Sequence, residues 1–256
     1  MSADQAPKIA AEALRKGFKA ARGGPLPVID GVSFDVAEGE FVAIVGPSGC
    51  GKSTLMNILA GFETPDAGQV LIGGRPHPGP SPQGIVISQH GSVFPWLTVQ
   101  QNLMFGLTGP RHGDDVERAA LADHYAAMVG LKGFEGAYPH ELSGGMLKRV
   151  ELARAFIVKP EILYLDEPFS ALDALMNLRM RNELLRILAE EKHTVLLITH
   201  DVDEALYMAD RILVLSPRPT RIQARFEVDL PHPRRLVGSD MEALREAILR
   251  ELGLSL

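Results

Sequence analysis

A glycine-rich stretch, GPSGCGKST at residues 46–54, constrains the fold of this chain more than any other part of the sequence. It matches the pattern G-x-x-x-x-G-K-[ST], and it lies between an apolar run (40–46) and a helix-like run (54–61). Glycines let the backbone curl so that its N–H groups point inward at phosphates, and the following helix adds its positive N-terminus. The stretch therefore predicts a strand, a phosphate-binding loop and a helix, in that order.

Three side chains of this loop have predicted roles in binding a nucleotide or in packing. Lys52 would neutralise the terminal phosphates of a nucleotide, and Ser53 would offer its hydroxyl to Mg²⁺. Cys50, the only cysteine, is either a small packing residue or a thiol activated by the helix N-terminus and Lys52, whose alkylation would block nucleotide binding. The predicted nucleotide-binding residues of the loop are Gly46, Pro47, Ser48, Gly49, Cys50, Gly51, Lys52, Ser53 and Thr54.

Runs that are apolar throughout recur along the chain and alternate with helical patterns. Besides residues 40–46, the predicted strands of this kind are GIVIS (84–88), EILYLDE (161–167), TVLLITH (194–200) and RILVLS (211–216). Strands without polar alternation are typical of a parallel sheet that helices cover on both faces. The sequence therefore predicts an α/β fold, a P-loop NTPase core with a mostly parallel sheet.

The first part of the chain carries shorter strand patterns, SFDV (33–36) and QVLIGG (69–74), and then a loop rich in proline and glycine (73–84). These patterns predict an N-terminal antiparallel β-subdomain. Within it, we expect SFDV to pair with the strand at 40–46 through a turn at Glu38-Gly39.

Residues 98–158 interrupt the alternation with helical patterns alone, which predicts an inserted helical subdomain. We therefore expect a single domain over residues 1–256. The core and the β-subdomain would occupy about 8–97 and 159–220, the helical subdomain about 98–158, and a C-terminal extension 221–256. A helical pattern at 241–254 predicts that this extension ends in a helix.

Polar residues stand at the ends of two of the predicted parallel strands. Asp166 and Glu167 end one strand and His200 ends the next, and open α/β sheets bind ligands at the carboxyl ends of their strands. Asp166 would hold Mg²⁺, Glu167 would act as general base on the attacking water, and His200 would donate to the γ-phosphate. Taken singly, these residues are also compatible with a solvated strand end and a structural histidine.

A second glycine pair, Gly144 and Gly145, follows Ser143 at the start of a predicted helix (144–158). Ser143 is a suitable N-cap, and an ordinary cap is the simpler interpretation. However, two glycines in the first turn lower helix propensity while letting a phosphate approach the backbone. The simplest explanation of the two glycines is that the start of this helix is a second phosphate-binding site, which contacts an ATP held by a second copy of the chain.

In their order and spacing, several segments resemble the nucleotide-binding subunit of an ABC transporter over roughly residues 8–220. These segments are GPSGCGKST, Gln89, LSGGM (142–146), ILYLDE (162–167), SALD (170–173) and His200. The resemblance implies an ATPase that sandwiches two ATP molecules in a head-to-tail dimer, so that the LSGG segment of one chain faces the phosphate loop of the other.

The resemblance also implies roles for single residues. Phe18 would stack on adenine, Gln89 would touch Mg²⁺ and sense the γ-phosphate, and Asp173 would link the two sites across the dimer. Met146 stands where the family most often has glutamine, so it would complete the in-trans set of Ser143, Gly144 and Gly145 without closing a capping box. Methionine there, together with VFPWLTVQQNLMFGL (93–107) and LSPRPTRI (215–222), resembles the importers of nitrate, sulfonates, taurine and related compounds.

The segment VFPWLTV (93–99) contains the only tryptophan, Trp96. One interpretation places it in the core of the helical subdomain. The other is that Phe94, Pro95 and Trp96 line a groove for a helix of a membrane partner, because apolar anchors commonly receive helices in this way.

The formal net charge of −6 argues against nucleic acid as a partner, because phosphate contact favours a basic surface. No apolar run approaches the ~20 residues that span a bilayer, and the N-terminus lacks a secretory signal pattern. The arginines of residues 217–256 are most simply a solvated basic patch.

Together with these features, the resemblance implies an importer subunit at the cytoplasmic face of the inner membrane, held there peripherally. Its cofactors would be ATP and Mg²⁺. Its partners would be a second ATP-binding subunit, transmembrane permease subunits and, indirectly, an external solute-binding protein. A soluble ABC-type ATPase in an assembly process and an efflux subunit remain alternatives. A DNA-repair ATPase would need a long coiled coil between the phosphate loop and LSGG, for which the roughly 90 intervening residues leave no room.

Overall fold

The computed structural model describes residues 6–19, 23–88, 91–107, 113–170, 172–190 and 192–254. These residues form two compact units. The first contains the described residues of Met1–Gly84, Ile162–Asp166 and Lys192–Leu256, and the second those of Ile85–Glu161 and Glu167–Glu191. The division of one domain into a core and a helical subdomain at 98–158 stays a prediction.

The described residues contain ten strands, seven α-helices and a short 3-10 helix (Pro139–Glu141). The strands are β1 (Ile9–Lys19), β2 (Pro25–Val36), β3 (Phe41–Val45), β4 (Ala67–Ile72), β5 (Arg75–Pro76), β6 (Gly84–Ile87), β7 (Ile162–Asp166), β8 (Thr194–Ile198), β9 (Arg211–Leu215) and β10 (Ile222–Glu227). The helices are α1 (Lys52–Leu59), α2 (Val99–Met104), α3 (Asp115–Met128), α4 (Gly144–Phe156), α5 (Ala174–Glu190), α6 (Val202–Met208) and α7 (Ser239–Glu251).

The N-terminal sheet of the first unit is antiparallel, with the strand order β2-β1-β4-β5, as the short patterns predict. The predicted pairing of SFDV with the strand at 40–46 is wrong, because SFDV ends β2 and pairs with β1. Every residue of β3 is buried, and β3 lies between two parallel neighbours instead. A five-residue strand that is apolar on both faces finds its partners inside a covered sheet, whereas the alternating pattern of β2 suits a sheet with one exposed face.

The second sheet of the first unit has the order β10-β9-β3-β8-β7. Strands β9, β3, β8 and β7 are parallel, and only β10 is antiparallel to its neighbour. The predicted mostly parallel sheet is therefore confirmed. Helix α1 packs against β7 and β8, and α6 packs against β3 and α7, so that apolar side chains cover the sheet.

The second unit is built mainly from helices. Helices α2, α3 and α4 pack on one another. Thr98 and Asp114 begin α2 and α3 with capping boxes, in which the cap side chain and the third helical residue bond each other's backbone. Among the described helices, none combines the length and the apolar character that a membrane span requires.

Candidate functional site

The carboxyl ends of three neighbouring parallel strands lie at one edge of the larger sheet. Ile198 of β8 is level with Ile44 of β3 on one side and with Asp166 of β7 on the other. Because neighbouring strands are ~4.8 Å apart, Ile44 and Asp166 are separated by only ~10 Å across the sheet. The glycine loop leaves β3 at this edge, and His200 follows β8 there. The structure thus brings the loop, Asp166 and His200 together within the first unit.

Glycine is required at two positions of the loop. Gly49 has a φ of 72° and Gly51 a φ of 124°, both in the left-handed range that disfavours other residues. A Cβ on Gly51 would also lie 2.7 Å from Cγ1 of Val28, closer than packing allows. These conformations turn successive N–H groups to one side, which is the arrangement that binds phosphate.

Lys52 begins α1 directly after the loop and is 7% exposed. Its ammonium donates hydrogen bonds to the carbonyl oxygens of Gly46 (2.8 Å) and Pro47 (3.0 Å). The positive charge is therefore held over the loop by two neutral acceptors, which a phosphate would outcompete by charge. Ser48, Gly49 and Ser53 of the loop and the start of α1 are exposed to solvent.

Cys50 is only 2% exposed, and its sulfur lies 3.3 Å from where a Cβ on Gly46 would be. This burial favours the packing interpretation of Cys50 over the reactive thiol. Its carbonyl accepts a short hydrogen bond from the hydroxyl of Thr220, which is fully buried. Thr220 is a structural support of the loop that the sequence analysis did not identify. The only sequence feature that pointed to this region was the segment LSPRPTRI, which contains Thr220.

The backbone changes conformation between Asp166 and Glu167, the acidic pair at the end of β7. Asp166 is 8% exposed and ends the strand, whereas Glu167 is half-buried and has a φ of 48°. A left-handed glutamate is uncommon, and such outliers concentrate at functional sites. The carbonyl of Glu167 accepts bonds from the amide (3.3 Å) and hydroxyl (3.0 Å) of Ser170, which hold the turn after the strand.

The donor set at this edge fits Mg²⁺. The hydroxyl of Ser53 and the carboxylate of Asp166 are oxygen ligands, which this ion prefers, and Mg²⁺ in nucleotide sites takes its remaining ligands from phosphate and water. Gln89, the third predicted ligand, lies outside the described residues. The exposed side chain of His200 stands two residues beyond Ile198.

The second glycine pair lies in the second unit, at the start of α4. Ser143 caps the helix, and its hydroxyl accepts a bond from the amide of Met146 at 3.3 Å without a reciprocal bond, so the predicted cap is confirmed. A Cβ on Gly144 would meet nothing within 4 Å. Packing within the chain therefore does not require this glycine, and the first turn of α4 is exposed there.

Two other predicted residues lie at element ends. Phe18, near the end of β1, is 42% exposed, and the ammonium of Lys16 lies 5.4 Å from the centre of its ring. Asp173 is exposed and caps α5, since its carboxylate accepts a bond from the amide of Met176 at 3.0 Å. Neither position shows a contact that assigns it to a nucleotide or a partner.

The segment at 94–98 presents aromatic side chains on the second unit. Trp96 is 69% exposed, so its interpretation as a core residue is wrong. Its ring lies 5.6 Å from that of Phe94, which in turn lies 4.3 Å from that of Phe105. Pro95, which lies between Phe94 and Trp96 in the sequence, is exposed. We call Phe94, Trp96 and Phe105 the aromatic cluster.

A buried amide supports the aromatic cluster. Asn102 of α2 is fully buried, and its oxygen accepts from the amide of Phe94 at 2.9 Å. Its nitrogen donates to the carbonyls of Phe94, Leu97 and Thr98 at 3.0–3.1 Å. An Arg154 guanidinium lies 4.9 Å from the centre of the Phe94 ring, and burial lowers the pKa of that guanidinium. The backbone of Phe94 is therefore fixed by buried hydrogen bonds, while the neighbouring Trp96 and Phe105 are exposed.

A buried ion pair of α4 contacts both sides of the segment that contains Gln89. The ammonium of Lys148 lies 3.1 Å from the carboxylate of Glu151, and the two residues are 5% and 3% exposed. Lys148 donates to the carbonyl of Ser88 at 2.6 Å, while Glu151 accepts a short bond from the amide of Ser92. Helix α4, which carries the second glycine pair at its start, thereby fixes residues 88 and 92.

Comparison with known proteins gives relatives over most of the chain. The family profile described as ABC transporter matches residues 29–170. An uncharacterized ABC transporter ATP-binding protein of Methanocaldococcus jannaschii is 43% identical over 248 residues, which cover 96% of this chain and 91% of that protein. The aliphatic sulfonates import ATP-binding protein SsuB of Bacillus subtilis is 41% identical over 224 residues, covering 88% of this chain and 86% of SsuB. The nitrate import ATP-binding protein NrtC of Synechococcus elongatus is 40% identical over 228 residues, covering 88% of this chain and 35% of NrtC.

Solved structures show the same fold. A dimeric bacterial ABC transporter cassette superposes with a TM-score of 0.78 at 27% identity, covering 87% of this chain and 100% of the cassette. The same cassette in a post-hydrolysis state, bound to ADP and Pi, gives a TM-score of 0.77.

Proposed function

Because the chain belongs to the ABC transporter ATP-binding family, we propose that its hydrolysis of ATP powers the import of a small anionic solute such as a sulfonate or nitrate. The family binds and hydrolyses ATP, and this chain is an ATPase of that family. Its relatives SsuB and NrtC are import ATP-binding proteins for sulfonates and nitrate. The importer role and the solute are our proposal.

In the proposed mechanism, the glycine loop binds the phosphates through its backbone and Lys52 neutralises their charge. Ser53 and Asp166 would hold Mg²⁺, which when bound would offset the charge of the reacting phosphates. Glu167 accepts the proton of the attacking water, and His200 donates to the γ-phosphate. Gln89 would sense the γ-phosphate and transmit it to Ser88 and Ser92, which Lys148 and Glu151 of α4 contact.

We propose that two chains close on two ATP molecules. Ser143, Gly144, Gly145 and Met146 of one chain would face the phosphates held by the other, Asp173 would connect the two sites, and Phe18 would stack on adenine. The exposure of Gly144, which packing within the chain does not require, supports this arrangement. The dimeric state of the similar cassette is in agreement with it.

The aromatic cluster is the single observation that carries the transport proposal. An exposed tryptophan beside Phe94 and Phe105 would be costly to leave in water, and clusters of this kind mark interaction sites. Because Asn102 and Arg154 fix the backbone and the Phe94 ring, the cluster is preorganised to receive an apolar partner. We propose a helix of a permease subunit as that partner, which would hold the chain at the cytoplasmic face of the membrane.

The test is an affinity capture of the tagged Glu167→Gln chain, with ATP, from detergent-solubilised native membranes, followed by mass spectrometry. We expect a polytopic permease to be captured. Trp96→Ala in the same background should lose the permease while ATP binding is kept. Phe62→Ala is the matched control, because Phe62 is a comparably exposed aromatic (61%) on the first unit.

Capture of soluble partners only, by a chain that still binds ATP, would contradict the transport proposal and favour an ATPase of an assembly process. Equal capture of the permease by the Trp96 and Phe62 variants would contradict the role of the aromatic cluster. The companion genes or proteins of a captured permease, including its solute-binding protein, would then identify the solute.

A further inference from the structure

The loop that joins β9 to β10, residues 216–221, lies against the phosphate-binding loop. A Cβ on Gly49 would lie 3.8 Å from Nη2 of Arg218, which is ordinary van der Waals contact. Gly49 is one of the two left-handed glycines that turn the backbone N–H groups of the phosphate loop. A guanidinium therefore stands beside the phosphate cradle, although 169 residues separate Arg218 from Gly49 in the sequence.

The backbone around Arg218 is held at both ends. The hydroxyl of Thr220 donates to the carbonyl of Cys50 in the phosphate loop, and its amide donates to Val28 at 2.8 Å. Ser216 and Arg221 bond each other twice, through Ser216 N to Arg221 O and Arg221 N to Ser216 Oγ, both at 3.0 Å. Prolines on either side of Arg218 restrict the backbone further. The position of Arg218 next to Gly49 is thus built into the fold.

The neighbouring arginines have acceptors, but Arg218 does not. Arg221 forms a close ion pair with Asp30, and Arg225 donates to the carbonyl of Ser33 at 2.8 Å. Arg234 is buried and donates to four backbone carbonyls. Among the described residues, the exposed Arg218 has no hydrogen bond or ion pair. Its guanidinium is therefore available to a ligand, unlike a cation that already has a protein partner.

We propose that Arg218 is a second cation of the ATP site and binds the terminal phosphates. A guanidinium presents several donors to phosphate oxygens and remains charged at any working pH, so its contact with phosphate is strong. Lys52 neutralises the phosphates from the buried side of the loop, and Arg218 reaches them from the exposed side. In a chain whose formal net charge is −6, such a local cation also offsets the general repulsion of ATP.

This proposal rests on ATP binding and not on the transport role. The test measures binding of ADP and of a non-hydrolysable ATP analogue, each with Mg²⁺, by titration calorimetry on the full chain at low and high salt. Arg218→Gln should weaken the triphosphate about tenfold and ADP by a smaller factor, because a charge-assisted hydrogen bond to the terminal phosphate is lost. The salt dependence of triphosphate binding should also become shallower, since one exposed cation is removed.

Two further variants separate a phosphate contact from a structural role. Arg235→Gln is the matched control, because Arg235 is also exposed and without a hydrogen bond or ion pair among the described residues; it should change both affinities less than twofold. Arg218→Lys should recover part of the loss. The melting temperature without nucleotide should be the same for all variants.

Three results would overturn the proposal. The first is triphosphate binding by Arg218→Gln that matches Arg235→Gln. The second is an equal loss for ADP and the triphosphate together with a lower melting temperature, which indicates support of the loop alone. The third is unchanged nucleotide affinity with loss of ATP-driven dimers in the Glu167→Gln background, which would assign Arg218 to the contact between copies.

Discussion

At the scale of single residues, the left-handed backbone of Glu167 is the clearest sign of a functional position. Strand β7 ends at Asp166 with every residue buried, and the next residue adopts a φ of 48° that a glutamate rarely takes. A conformation of this type persists only where the surroundings fix it.

The substitution Glu167→Gln should reduce the rate of ATP hydrolysis by about 10²–10⁴-fold, because an amide cannot accept the proton of the attacking water. Binding of ATP should be kept, since the side chain is not needed to hold the phosphates. The measurement is phosphate release at saturating ATP, together with calorimetric binding of ATP. Glu246→Gln is the control, because it neutralises an exposed glutamate on α7. A Glu167→Gln chain that hydrolyses ATP at the normal rate would exclude the general-base role.

Some contacts of the site could not be found from the sequence. The pattern G-x-x-x-x-G-K-[ST] locates the phosphate loop because each of its residue types has a physical reason to be there. No comparable pattern identifies Thr220 or Arg218 as part of the site, since threonine and arginine are common on protein surfaces. Thr220 bonds Cys50, and the proposed role of Arg218 depends on its place beside Gly49; only the folded chain brings these residues close.

At the scale of elements, the start of α4 combines two requirements that conflict. A helix gains stability from alanine over glycine, yet its first turn contains Gly144 and Gly145. Packing in the chain does not explain Gly144, because a Cβ there would meet nothing within 4 Å. The proposed approach of a partner's phosphate would explain it.

The substitution Gly144→Ala should therefore raise the free energy of unfolding by about 0.5–1 kcal/mol while lowering ATP hydrolysis at least tenfold. The added methyl group favours the helix but stands where the partner's phosphate would approach. Chemical denaturation and steady-state hydrolysis give the two quantities. Gly136→Ala is the control, since a Cβ at Gly136 also meets nothing within 4 Å and the residue lies outside α4. A stabilised chain with unaltered hydrolysis would leave Gly144 with only a capping role.

Strands with unbroken apolar sequences could be predicted, whereas a strand with an irregular backbone could not. Strands β3, β7 and β8 are buried along their whole length, and their unbroken apolar runs show this in the sequence. Strand β1 was missed because Ala13 has a φ of 48° and the register with β2 shifts between Ala11 and Leu14. A shift of this kind breaks the alternation of polar and apolar residues by which a strand is recognised.

At the scale of the whole molecule, the proposed ATP sandwich makes assembly depend on the nucleotide. The Glu167→Gln chain should form a dimer with ATP, because binding without hydrolysis keeps both nucleotides at the contact, and should stay a monomer with ADP. Light scattering after size exclusion measures the mass in each case. Adding Lys52→Met in the same background should abolish the dimer, since phosphate binding is lost. A chain that remains a monomer at ATP concentrations that saturate binding would refute the sandwich.

The order of the larger sheet has a consequence for how the chain is made. Strand β3 is synthesised long before its two neighbours, β8 and β9, because β4–β7 and α1–α5 lie between them in the chain. The support that Thr220 gives to Cys50 comes 170 residues after Cys50 itself. At a synthesis rate of ~5–20 residues per second, roughly 10–30 s pass between the synthesis of the phosphate loop and that of Thr220. During that interval the apolar strand and the phosphate loop lack these partners, so we expect the nascent chain to bind chaperones, and ATP to stabilise it only after Thr220 has been synthesised.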